Sequence, residues 1–253
     1  MLAALLELAP AGVEQIDGDG FVEYALYGAP GELPSFPAGE AEVGGVLVSV
    51  RGEEVADDWA ERWRRFHRPV LVAGRVYVRP PWEEPAVRPG VKEVVIDPGQ
   101  AFGTGAHPTT RMCIELMLGL ADDGGSFADL GCGSGVLAIA AAKLGFEPVS
   151  AYDADAGAVA ATDANARVNA VELERVERLD LRSEPAPAAD VVAANLMRPL
   201  LLRVAELLDS PPGALIVSGL LDHEADEVAA AFASLRERRR LSSKGWSALL
   251  LAP

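Results

Sequence analysis

Ser126-Phe-Ala-Asp-Leu-Gly-Cys-Gly-Ser-Gly135 is the stretch whose reading decides the fold of this 253-residue chain. Phe127, Ala128 and Leu130 read as a short buried strand, the glycines as a turn, and Val136 to Leu144 as a helix. Gly131, Gly133 and Gly135 stand at every second position, so the main chain can bend sharply with no Cβ in the way. A ligand can then lie directly on the backbone, at the carboxyl end of a strand and the amino end of a helix. Open α/β sheets place their cofactors there.

The spacing narrows the ligand. A dinucleotide fingerprint needs a last glycine where this chain has Val136, and a Walker-type loop needs a Lys after the glycines, which is missing. Asp129, directly before the turn, sets a carboxylate beside the site, and a carboxylate suits a cationic ligand better than a phosphate. Asp-x-Gly-x-Gly-x-Gly resembles the first motif of the S-adenosylmethionine-dependent methyltransferases with a Rossmann-like fold. The alternative is a tight strand-to-helix turn with no ligand.

Strands and helices alternate outward from this stretch. Strands are expected at Phe127–Leu130, Pro148–Tyr152, Leu173–Leu179, Asp190–Ala194 and Leu215–Ser218, followed by a closing pair, Arg238–Ser242 and Trp246–Leu251. Helices are expected at Thr109–Leu120, Val136–Leu144, Ala156–Asn169, Pro199–Leu208 and His223–Leu235. The pattern predicts an α/β fold with a sheet of seven strands, mostly parallel, the last pair antiparallel; with the motif's resemblance, this implies a Rossmann-like class I methyltransferase sheet.

Before it, residues 1–56 read as a small α+β domain, with Leu2–Leu8 helically spaced and strands at Phe21–Tyr27 and Val43–Val50. Residues 57–90 read as a helix carrying Trp59, Trp63 and Phe66 on one face, a strand Val70–Val78, and a stiff connection at Arg79–Pro85. The methyltransferase domain is expected over 91–253, with the boundary within or just after the proline-rich connection.

Composition excludes several classes. Half the residues are hydrophobic, enough for a large core, yet no apolar run is long enough to span a bilayer. The two cysteines, Cys113 and Cys132, give no disulfide framework, and the three histidines show no metal-ligand spacing. A cytoplasmic, metal-free, monomeric protein is expected. The formal charge of −16 argues against a broad nucleic-acid-binding surface and suits a basic partner.

Three further positions join the glycine turn. Asp153 ends the second strand, placed to accept both hydroxyls of a ribose, whereas Asp155 reads as a helix cap. Asp180, after the third strand, reads either as an adenine contact or as a solvated charge. Asn195 ends the fourth strand, beside the first, and its carboxamide offers a donor and an acceptor to reacting groups.

Asp97-Pro-Gly-Gln-Ala-Phe-Gly-Thr-Gly-Ala-His-Pro-Thr-Thr110, Asp129-Leu-Gly-Cys-Gly-Ser-Gly-Val-Leu-Ala-Ile-Ala140 and Ala194-Asn-Leu, in that order, resemble the ribosomal protein L11 methyltransferases, bacterial lysine and α-amine N-methyltransferases. Trp59 through Trp82 also resembles that family's interdomain segment. The resemblance implies S-adenosyl-L-methionine as cofactor and a basic ribosomal protein as substrate. It also implies that the Asp97–Thr110 loop closes over the cofactor. Thr110, Gly131, Asp153 and Asn195 then contact the cofactor, and Phe102, Gly103 and His107 match loop positions near its methionine end. The family's amino-terminal domain resembles a ferredoxin fold and usually begins with a strand. Here Leu2–Leu8 is helix-like, so the expectation is either a misassigned start or a reduced recognition domain with a different substrate.

Methyl transfer requires a neutral amine, and a free lysine has a pKa of about 10.4. The sequence offers no clear general base, so Asn195 is expected to orient the amine. A base-modifying relative would carry Asn-Pro-Pro-Tyr/Phe where this chain reads Asn195-Leu-Met-Arg198. A small-molecule methyltransferase, a nicotinamide-dependent oxidoreductase and a non-catalytic nucleotide-binding module also compete with the protein-methylating reading.

Overall fold

A computed structural model describes residues 13–18, 21–26, 39–43, 45–50, 67–85, 88–98, 103, 105–208 and 210–253. The helical segment Leu2–Leu8, the aromatic stripe Trp59–Phe66 and Phe102 lie outside the described residues. The chain divides into two compact units, Met1–Arg64 and Arg65–Pro253.

In the first unit, β1 (Val13–Gly18) pairs antiparallel with β2 (Phe21–Leu26), and β3 (Gly39–Val43) pairs antiparallel with β4 (Val46–Val50). Strands β1 and β3 are additions to the two that alternation alone marks in this stretch.

The second unit opens with β5 (Val70–Val72), β6 (Val76–Arg79) and β7 (Lys92–Val95), a three-stranded sheet in which β5 and β6 are antiparallel and β6 and β7 parallel. The single strand expected over Val70–Val78 is thus a hairpin. Ala73 and Gly74 take positive φ of 46° and 69° and reverse the chain. Because β7 completes this sheet, residues 70–79 belong to the same body as the residues that follow them. Arg79 anchors the chain after β6: its guanidinium donates to both carboxylate oxygens of Glu93 and to the carbonyls of Pro80 and Glu83.

The main sheet contains β8 (Phe127–Leu130), β9 (Val149–Asp153), β10 (Arg175–Arg178), β11 (Val191–Asn195), β12 (Ala214–Leu221), β13 (Arg236–Ser243) and β14 (Trp246–Ala252). Their order is β10-β9-β8-β11-β12-β14-β13, parallel except that β14 runs against both of its neighbours. Five helices accompany it: α1 (Pro108–Leu118), α2 (Val136–Leu144), α3 (Ala156–Val168), α4 (Arg198–Glu206) and α5 (Ala225–Ala231).

Alternate residues of the central strands feed two cores. Phe127, Val191, Ala193 and Ile216 pack with α1, α2 and α3, while Ala128, Leu130, Val192, Ala194, Leu215 and Val217 pack with α4 and α5. Helix α2 has no polar face. Val136 to Ala141 are all buried, because the helix lies between the main sheet and the three-stranded one. Helix α5 is shorter than the His223–Leu235 pattern suggests. A 3₁₀ turn at Asp222–Glu224 precedes it, and the fully buried Phe232 leaves the helix at φ −89°, ψ 57°.

Strand order reverses at β8. The chain goes from β8 outward to β9 and β10, then returns to β11 on the other side of β8. A crevice therefore opens at the carboxyl ends of β8 and β11, where neighbouring connections leave in opposite directions. The glycine turn and Asn195 both sit on that edge, in register through the pair Leu130↔Ala194.

Candidate active site

The turn after β8 is built by its own hydrogen bonds. The N–H groups of Gly131 and Cys132 both donate to the carbonyl of Tyr152, at 2.8 and 3.0 Å. Gly133 N donates to Asp153 Oδ2 at 3.0 Å and Gly135 N to the Cys132 carbonyl at 2.7 Å. All three glycines have positive φ, from 53° to 80°. At Gly131 a side chain would also collide: a Cβ there would stand 2.2 Å from Leu196 Cδ2. Absence of a side chain at Gly131 lets the residue after Asn195 pack directly on the turn.

Asp129 is 1% exposed, and its Oδ2 accepts from Ala138 N at 3.1 Å, so it satisfies an amide in the first turn of α2. Burial pushes its carboxyl up to about 7, against the pull of the Ala138 amide, and the nearby charge of Asp153 adds to the rise. Expected beside the ligand, Asp129 is committed to the helix terminus directly beneath the turn. Together these contacts spend four of the turn's donors internally and put a carboxylate where a pyrophosphate would bind. Phosphate recognition is the poorer fit, and a phosphate-free nucleoside with positive charge the better one.

Asp153 ends β9 half-buried, one carboxylate oxygen on Gly133 N and the other on Asp155 N at 3.0 Å. Two backbone donors orient it while each oxygen keeps a lone pair for a diol. Asp155 caps α3, accepting from Gly157 N at 2.9 Å. Asp180 follows β10 next to Asp153, since Leu179 N donates to the Asp153 carbonyl. Its exposed carboxylate grips Arg182 through two guanidinium nitrogens and the Arg182 backbone N–H, which hold it below the usual carboxylate range. A cleft of about 230 Å³ opens there, lined by Ala154, Leu179, Asp180 and Arg182 among others. Asp129, Asp153 and Asp180 thus set acids at the ends of three neighbouring strands.

On the other side of β8, Asn195 ends β11 half-buried, its Nδ2 3.5 Å from Thr110 Oγ1, the outer limit of a hydrogen bond. Thr110 is fully buried in the first turn of α1. His107 caps that helix: its Nδ1 lies 2.7 Å from Thr109 Oγ1 and accepts from Thr109 N at 3.4 Å. Its ring stacks edge-on against Trp246, 5.0 Å between centroids. Burial lowers the His107 pKa, so the imidazole is neutral at pH 7.

The structure gathers Asn195, Thr110, Gly131, Gly133, Gly135 and Asp153 at the carboxyl ends of β8, β9 and β11, with Asp129 buried beneath the turn. Asp180 lies at the far end of the acidic side and His107 on the α1 side. Gly103 reaches the turn through its carbonyl, which accepts from Ser134 Oγ at 2.5 Å. Sequence reasoning did not single out Ser134, Thr162, Asn165 or Leu196, although all four touch the turn or its cover. Thr162 and Asn165, three apart in an alanine-rich helix, were the available signal. Among the described residues there is no cluster of three or more potential metal ligands, and no helix long and apolar enough to cross a membrane.

Comparison with known proteins agrees with this geometry. The family model of the ribosomal protein L11 methyltransferase (PrmA) matches residues 39–252. The ribosomal protein L11 methyltransferase of Geotalea uraniireducens is 40% identical over 213 residues, covering 76% of this chain and 67% of that protein. The one from Heliobacterium modesticaldum is 42% identical over 179 residues, 69% of this chain and 57% of its own length. The chain thus spans between 57% and 67% of the length of these two curated relatives. Among solved structures, the ribosomal protein L11 methylase of Lactobacillus delbrueckii subsp. bulgaricus matches with a TM-score of 0.66 at 27% identity. That match covers 74% of this chain and 98% of that one.

Proposed function

The chain belongs to the ribosomal protein L11 methyltransferase family, and on that premise we propose that it transfers the methyl group of S-adenosyl-L-methionine to amino groups of a basic ribosomal protein. The observation that carries this reading is the internal hydrogen bonding of the turn. The amides of Gly131, Cys132, Gly133 and Gly135 are spent on Tyr152, Cys132 and Asp153, and the turn's acids favour a cation, so the crevice suits a sulfonium nucleoside better than a dinucleotide.

Gly131, Gly133 and Gly135 would pass under the cofactor, Asp153 would take the ribose diol, and Asp180 would border the adenine. Gly103 and Thr110 would close the methionine side, where the sequence also places Phe102. When bound, the cofactor supplies a methyl group activated by a positively charged sulfur. The protein's own work is to place a neutral amine in line and keep water out. With Nδ2 turned to Thr110, the Asn195 carboxamide oxygen is the group free to accept an N–H from the amine. His107, committed to capping α1 and held neutral, contributes no charge to that step. Burial of the lysine beside the cofactor's positively charged sulfur, which already answers the crevice's acids, would disfavour its ammonium form, so the proton would be lost to water before transfer.

Substrate preference follows from charge. The first 64 residues hold thirteen Asp and Glu against three Arg and no Lys, so −10 of the chain's −16 falls on the first compact unit. That unit is suited to attract a lysine-rich protein.

Incubation with labelled cofactor and a ribosomal protein extract, read by mass spectrometry, tests the reaction. Methylated amines on a large-subunit protein are expected, and label found only on small molecules would overturn the substrate. Asn195→Ala should lose methyl transfer by far more than any weakening of S-adenosylhomocysteine binding accounts for. An unchanged rate in that variant would remove Asn195 from the chemistry.

A further inference from the structure

We propose that Ser134 is a positioning residue that locks Asp97 and Gly103 to the glycine turn, so that cofactor binding at the turn tightens the segment leading into α1. The inference rests on the cofactor reading of the crevice. Ser134 sits in the middle of the turn and is fully buried. Its hydroxyl reaches that segment directly and its carbonyl through Asn165. The hydroxyl donates to the Gly103 carbonyl at 2.5 Å. The Ser134 carbonyl accepts from Asn165 Nδ2 at 2.9 Å, and Asn165 Oδ1 in turn accepts from Asp97 N at 3.1 Å.

Asn165 belongs to a buried polar row on α3. One turn before it, Thr162 Oγ1 donates to the Gly133 carbonyl at 3.0 Å. One turn after it, Asn169 holds both the N–H and the carbonyl of Val95, at 2.8 and 2.6 Å. Thr162, Asn165 and Asn169 are 0%, 3% and 7% exposed, in a face otherwise made of Ala158 and Ala166. Apolar side chains would fill such a face without the desolvation that polar ones incur, so a hydroxyl and two amides in a row there specify geometry. Here the geometry is the relation between the turn and the segment that starts at Val95.

Two glycines show how closely that segment is seated. Gly103 has φ +107°, and a Cβ on it would come 3.0 Å from Ser134 Oγ. A Cβ on Gly105 would come 2.6 Å from Val78 Cγ1. The link to the cofactor runs through Gly133, whose N–H is held by Asp153. A ribose drawn onto Asp153 restrains Gly133, hence Ser134, hence Gly103.

The test compares wild type with Ser134→Ala, measuring S-adenosylhomocysteine binding by calorimetry and amide exchange at Gly103 and Gly105 with and without that ligand. Wild type should bind and show slower exchange at both glycines when loaded. Ser134→Ala should bind about tenfold more weakly, the effect of one buried hydrogen bond, and lose the ligand-dependent slowing. Wild-type affinity together with wild-type protection in the variant would overturn the inference, even if its melting temperature fell. If Ser134→Ala does not fold, Gly103→Ala strains the same contact from the opposite side and should weaken binding likewise. Undiminished binding there would also overturn it. Failure of wild type to bind would instead refute the cofactor reading.

Discussion

Replacing Asp129 by Asn tests the electrostatics beneath the turn. The substitution keeps an acceptor for the Ala138 N–H and removes the charge. In the folded protein burial pushes the Asp129 carboxyl up to about 7, whereas the ordinary value is 3.8. Between these two pH values the native state holds a proton that the unfolded chain has released. Stability attached to this group is therefore complete below about pH 4 and is lost as pH rises towards 7. At about 1.4 kcal/mol for each unit of pKa, the loss amounts to at most about 4 kcal/mol.

Urea unfolding of both proteins from pH 4.5 to 8 reads this directly, because the difference between them cancels every other titrating group. Wild type should lose stability relative to Asp129→Asn by up to about 1.4 kcal/mol per pH unit, levelling off above pH 7. A constant offset from the buried carboxamide leaves that slope untouched. A flat difference, or one that rises with pH, would refute the placement of an uncompensated carboxylate under the turn. The same charge bears on the ligand. Affinity of wild type for S-adenosylmethionine, measured without acceptor, should rise through pH 7 as the carboxyl ionises beside a cation, and that of Asp129→Asn should not.

Asp153→Ala removes the acceptor of Gly133 N and Asp155 N and the candidate partner of the ribose. It should weaken S-adenosylhomocysteine binding tenfold or more by calorimetry, since hydrogen bonds to a charged group are worth about 1.5–3 kcal/mol; unchanged affinity would place the ribose elsewhere. His107→Ala should cost about 1 kcal/mol as a lost helix cap, a fall of about 2–4 °C in melting temperature. His107→Asn, which caps well, should keep both stability and methyl transfer at pH 7. A stable His107→Asn that no longer transfers methyl groups would show that the histidine does more than cap α1.

The parts of the fold written in apolar periodicity and glycine were legible. Phe127–Leu130 and the turn after it, the acid ending β9 and the Asn ending β11 each announce themselves by residue type and spacing. The β5–β6 hairpin does not. Val70, Val72, Val76 and Val78 keep one parity straight through a three-residue turn, so strict alternation cannot reveal the reversal. Helix α5 misleads in the opposite way. Val228, Phe232 and Leu235 have helical spacing, but Phe232 is buried by a turn closed from Leu235 N to its carbonyl. Asp180 was readable as a strand-end acid, whereas its capture by Arg182, two residues on, depends on side-chain reach that no pattern encodes.

Glycine spacing separates a sulfonium nucleoside from a dinucleotide only as a motif; the turn's internal hydrogen bonds and the acid beneath it supply the physical cause. A phosphate needs unspent amides at the start of a helix. Here Asp129 takes one of α2's, while Tyr152 takes two of the turn's and Asp153 a third. Opening those donors to an anion would mean breaking several bonds and bringing the anion up to buried negative charge, a cost that Coulomb repulsion at low dielectric makes larger. A positively charged ligand meets the same crevice with the amides of Gly131, Cys132, Gly133 and Gly135 already bonded and gains from the carboxylates, so the turn's rigidity and its preference for a cation have one origin.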